Sequence, residues 1–215
     1  MRLTPSLLAI LLFVLSASTG FAQQADLGEK LGQVNFPVSC SPAVQKPFER
    51  AVTLQHSFWY LEALKGFTAV TQTDPDCAMG YWGTAMSLWF QIWSPPSPAN
   101  LKRGWEAVEK AKAIGAKTQR ERDYIAAIEA FYRDADKVDH RTRAAAYERA
   151  MEQVYFRYPQ DREGALFYAL SLQATADQHD KTYAKQRRSA EIAEKVFAAE
   201  PDHPGGAHYI IHAFD

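Results

Sequence analysis

The sequence predicts an all-α protein made of helix pairs stacked in series, and three observations carry that expectation. Apolar residues recur at helical spacing in one stretch after another, and no stretch alternates with the period of two that a strand needs. Three stretches end alike, at Asp74-Pro75, Tyr158-Pro159 and Glu200-Pro201. A chain of 215 residues with 47% hydrophobic and 23% charged side chains can bury a core and lacks the composition of a disordered polymer.

The elements follow in order. Ser41-Pro42 opens the first helix, an N-cap followed by proline where its missing N–H costs nothing, and Val44, Phe48, Ala51 and Val52 form its apolar stripe. After a break near Trp59 and Tyr60 a second helix carries Leu61, Ala63, Leu64, Phe67 and Val70 and stops at Pro75. The third is expected over Ala78 to Trp93, broken by Pro95, Pro96 and Pro98, and the fourth runs from Pro98 to a C-cap at Gly115. Thr118 and Glu121 have the spacing of a capping box and open the fifth, whose stripe is Tyr124, Ile128, Phe131 and Tyr132. The sixth spans about His140 to Tyr158, and the seventh runs from Arg162, capped by Asp161, to about Ala176. An eighth ends at Pro201, and a ninth starts near Pro204 and is still in progress at Asp215.

Residues 1–22 read as a signal peptide: Arg2, an apolar run from Leu7 to Leu15, and the small residues Gly20 and Ala22 ahead of the expected cut. Residues 23–40 read as a linker and 41–215 as the helical domain. The apolar run is shorter than the about 20 residues a bilayer span needs, so no stable membrane insertion is expected after cleavage. The protein is therefore expected in the periplasm or outside the cell. That setting permits a disulfide between Cys40 and Cys77, which lie at the same end of a helical stack; two small buried thiols are the alternative. A formal net charge of -1 gives no electrostatic reason to bind nucleic acid.

The repeated endings carry a family resemblance. With Pro75 as a closing proline, Ala51 and Ala63 fall where helices cross and Phe67 at an aromatic position. Tyr81, Ala85 and Leu88 repeat the pattern, as do Ala165, Tyr168, Ala169 and Leu172. The sequence resembles the tetratricopeptide repeat (TPR) family, and in particular long exported bacterial members of unknown activity. The resemblance implies a right-handed α-solenoid of stacked antiparallel helix hairpins. It also implies a terminal unit that is cut short, because the last helix bears Tyr209, Ile210, Ile211 and Phe214 without a capping helix.

By the register of such repeats, Met79, Trp82, Met86 and Trp89 face a concave groove, where an apolar and aromatic stripe suits a protein or peptide partner; packing in the core is the bland alternative. The same register brings His208, His212 and Asp215 to one face, a possible set for zinc or a similar divalent metal. His56 joins them only if the array curves tightly. It is not the H-E-x-x-H protease motif, and neither a nucleophile elbow nor a base beside the cysteines is present. The leading expectation is a protein-binding scaffold with no catalytic residues; the second is a metal-binding protein or metal-dependent enzyme built on His208 and His212.

Overall fold

The computed structural model describes residues 30–215; the expected signal peptide lies outside them. The described residues are all-helical, with α1 (Pro42–His56), α2 (Tyr60–Thr73), α3 (Ala78–Ser87), α4 (Pro98–Ile114), α5 (Gln119–Tyr132), α6 (His140–Arg157), α7 (Arg162–Ala174), α8 (Ala184–Ala199) and α9 (Pro204–Phe214). No described helix is long and apolar enough to cross a membrane.

Local chemistry sets the helix ends. Ser41 and Ser97 cap helices whose first residue is proline, and Asp139 and Asp161 accept backbone N–H groups at the starts of α6 and α7. The capping box at the start of α5 forms in both directions, Thr118 with the N–H of Glu121 and Glu121 with that of Thr118. Gly115 ends α4 at φ 77°, a conformation that disfavours a side chain. The third helix is a correction: it stops at Ser87, well ahead of the prolines, and residues 88–93 turn. The turn places Trp89 flat on Phe131, with ring centroids 3.6 Å apart. Tertiary packing, not proline, ends this helix.

Consecutive helices pack against one another along the whole series, α1 on α2 through α8 on α9. Alternate helices also meet, α1 with α3, α3 with α5 and α7 with α9, and α1 touches α9. The centre is aromatic. Trp82 has Phe36, Phe48, Phe67, Tyr124 and Phe167 around it at centroid distances of 5.6, 6.3, 6.4, 5.6 and 5.4 Å. Burying such rings contributes several kcal/mol through area alone.

Residues 31–40, expected to be linker, lie against the helices, and Phe36 is wholly buried. The disulfide between Cys40 and Cys77 forms, tying the end of this segment to the start of α3. Helix crossings leave no room for extra atoms at Gly104, where an added Cβ would stand 2.1 Å from the Tyr132 ring. Gly104→Ala is expected to lower stability by about 1–3 kcal/mol despite alanine's better helix propensity, measured as a shift of the urea midpoint. An unchanged midpoint would mean that the Tyr132 ring moves aside freely.

Candidate functional site

Two groups of residues combine chemistry with unusual placement. The first is the inner surface formed by α1, α3 and α5. Met79, Trp82, Met86 and Trp89, expected to line an open groove, are 0, 1, 0 and 0% exposed. That expectation is corrected, because all four lie in the hydrophobic core: Trp82 is covered by Phe36 and its aromatic neighbours, Met86 by the Tyr147 hydroxyl at 3.7 Å, and Trp89 by Phe131 and Tyr147.

What occupies the inner surface is the segment Gln33–Ser39, and helix side chains read its backbone. The N–H of Phe36 donates to Glu49 Oε1 at 3.3 Å, and the Phe36 carbonyl accepts from Gln45 Nε2 at 3.0 Å. The N–H of Val38 donates to Gln45 Oε1 at 3.1 Å. From α5, Arg120 donates to the Pro37 carbonyl at 3.0 Å, while Glu121 accepts both the N–H and the hydroxyl of Ser39 at 2.5 Å. The Phe36 ring enters the aromatic centre, 5.5 Å from Phe48 and 5.1 Å from Tyr124, with the Arg120 guanidinium 4.5 Å above its face. Aromatic anchor plus backbone pairing is how an extended peptide is recognised.

The second group lies where α1 meets α7 and α9. Four of the chain's six histidines gather there, His56, His203, His208 and His212. Glu163, in the first turn of α7, is buried with one carboxylate oxygen 2.6 Å from His56 Nε2 and the other 2.7 Å from His203 Nε2. A carboxylate only accepts, so both Nε2 atoms carry protons. His203 Nδ1 accepts from the Gly205 N–H at 3.2 Å, capping α9, and His56 Nδ1 stands 2.8 Å from the Tyr209 hydroxyl. Two neutral imidazoles thus clasp one carboxylate and every ring nitrogen is used.

Burial would by itself raise the pKa of Glu163, but the two histidines outweigh it and hold it down at about 2. Burial likewise pushes His56 below its usual value, against the pull of Glu163. The three ligand atoms are close enough to share an ion. An ion there would have to displace both Nε2 protons from a satisfied arrangement. Sequence reading missed this triad, since its members are 107 and 40 positions apart.

His208 and His212 do come together, Nε2 to Nε2 at 3.2 Å. Asp215 reaches His212 on the opposite nitrogen, Nδ1, at 2.9 Å. It therefore stands behind the ring and not beside His208 on a common face, because three residues of helix turn it to the outer edge of His212. His208 Nδ1 lies 2.7 Å from the His56 carbonyl oxygen, which is how His56 joins the pair. Phe58 and Trp93 flank the two rings, Phe58 4.3 Å from His208 and Trp93 5.5 Å from His212. His212 and Asp215 also line a cleft of about 680 Å³ with Gln173, Gln178, Tyr183 and Arg187. Asp74 and the two cysteines form a further close group, but the sulfurs are spent on each other.

What the described residues define by themselves is an all-helical fold of serially packed helices, with the chain's own residues 33–39 held against α1 and α5 and a histidine-rich junction. Comparison with protein-family models, with curated proteins and with solved structures finds no match.

Proposed function

We propose that the protein is a TPR-like, right-handed helical-repeat scaffold, exported to the periplasm or the cell exterior, whose inner surface binds an extended segment with an aromatic residue followed by proline. The observation that carries this reading is the backbone of Gln33–Ser39 held by Gln45, Glu49, Arg120 and Glu121 around a buried Phe36. Its own segment is the resident occupant, and a partner segment of the same pattern exchanges with it. The disulfide supports an oxidising compartment. The partner is protein, held through main-chain groups, which gives breadth, and through one aromatic pocket, which gives selectivity.

The test uses a labelled synthetic peptide with the sequence of residues 32–39 and the full chain. Fluorescence anisotropy should show weak binding to the native protein and binding at least about tenfold tighter to Phe36→Ala, whose own segment is loosened. A peptide with alanine in place of its phenylalanine should not bind. Native-state hydrogen exchange gives a second readout on the unaltered chain, with the Phe36, Val38 and Ser39 amides expected to exchange far faster than those of α5. Equal protection of segment and helix, or no peptide binding to a folded Phe36→Ala protein, would overturn the reading.

A further inference from the structure

The hydrogen bonds of His208 and His212 fix more than their positions. The His56 carbonyl and the Asp215 carboxylate can only accept, so each places the ring proton on the Nδ1 it faces. In the neutral rings both Nε2 atoms then present lone pairs, and these face each other across 3.2 Å. Two lone pairs at that distance repel unless something positive lies between or beside them.

We propose that His208 and His212 form a binding site for a divalent transition-metal ion of the zinc class, each ligating through Nε2. A tetrahedral ion with metal–nitrogen bonds of about 2.0–2.1 Å sets its two nitrogens about 3.3 Å apart, close to the separation seen here. The outer partners match as well. Metal-ligating imidazoles characteristically donate their other N–H to a carboxylate or a backbone carbonyl, and here one ring has each. Those partners preset the tautomer that an ion needs. A neutral pair joined by one ring's own N–H would need only a single ring so prepared; two prepared rings leave a gap that a cation fills, and the cleft gives a metal ion access to it.

Spacing supplies the rest. Positions i and i+4 put both rings on one face of α9, and the Phe58 and Trp93 rings hold them from the sides. His212 lines the cleft beside α7 and α8, giving an ion a route from solvent. Two imidazoles leave two positions of a four-coordinate ion for water or for a donor atom of a molecule in the cleft. The site is separate from the Glu163 triad, whose ring nitrogens are all engaged.

Titration of the full chain with zinc chloride, followed by calorimetry, should show one ion bound per chain. His208→Ala and His212→Ala should each weaken binding at least about 100-fold, and Asp215→Asn, which keeps the side-chain shape, about tenfold. His179→Ala should leave it unchanged, since that ring is exposed and its partner is Asp177, not either histidine of the pair. Nitrogen NMR of the unaltered protein guards against misfolded variants: zinc should shift both Nε2 signals while both Nδ1 protons remain. No binding, binding that survives loss of both histidines, or a pair that holds a shared proton at neutral pH and ignores zinc would each overturn the proposal.

Discussion

Glu163→Ala is expected to destabilise the protein by about 3–5 kcal/mol, because it leaves two buried imidazole N–H groups without an acceptor, each costing about 1–3 kcal/mol. The gentler Glu163→Gln should still cost about 1–3 kcal/mol. Its carboxamide oxygen can accept from one histidine, but its NH2 group meets the N–H of the other. To escape that clash a ring must change tautomer: His203 would lose the Gly205 contact, and His56 would turn its Tyr209 contact round, so that the hydroxyl accepts and its own proton loses its partner. Urea unfolding at neutral pH measures both losses.

The same group predicts acid sensitivity with a definite sign. A carboxylate held at about 2 in the folded protein and at 4.5 when free contributes stability above pH 4.5 that is lost as pH falls toward 2. His56 acts in the same direction at higher pH. Its folded-state pKa lies below 6.5, so the unfolded chain binds the proton more readily and stability declines once pH drops under 6.5. Stability should be flat from that point into the weakly alkaline range, before the buried tyrosines come into play, and fall in two stages below it. In Glu163→Ala the lower stage should shrink without vanishing, because, against the effect of burial, hydrogen bonds and ion pairs also hold Asp123 and Glu129 below the usual carboxylate range; a lower stage of unchanged size would show that Glu163 contributes little to it.

Loss of the Cys40–Cys77 bridge should cost about as much. The cysteines are 37 positions apart, and closing a loop of that length restricts the unfolded chain by about 4 kcal/mol in the chain-entropy treatment. The bridge also anchors the end of the segment that carries Phe36. Reduction, or Cys40→Ser with Cys77→Ser, should therefore lower the denaturation midpoint and speed exchange of the Phe36 amide. A midpoint insensitive to reductant would sink this expectation.

Local signals in the sequence were enough for most helix boundaries. Pro75, Pro159 and Pro201 close helices where expected, and Thr118 with Glu121 marks a start because a capping box is complete within four residues. The Cys40–Cys77 pairing and the approach of His208 to His212 were legible for the same reason: both follow from which end or face of a helix a residue occupies.

The rest depended on information that no window holds. Glu163 looks like any acid in a first helical turn, and only the meeting of α1, α7 and α9 reveals what it clasps. Phe36 lies in a stretch without periodicity, so nothing local marks it as the plug of the inner surface. The groove register could not see that Phe36 covers Trp82, nor that Phe131 and Tyr147 cover Met86 and Trp89. Asp215 was placed on the correct side of α9 but behind His212, a distinction that turns on ring nitrogens and not on spacing.

Gly32 and Gln33 give the protein a property that serial helix packing alone would not. The Gln33 N–H donates to the Asp202 carbonyl at 2.9 Å, and a Cβ on Gly32 would come within 2.3 Å of that same oxygen. Together with the touch of α1 on α9, this staples the turn before the final helix to the chain some distance ahead of the first. An array joined only between neighbours can fray from its tip one hairpin at a time. Here α9 and the turn before it cannot leave their place without breaking their contacts to residue 33 and to α1, so the first and last of the described helices are expected to melt together and not one hairpin at a time.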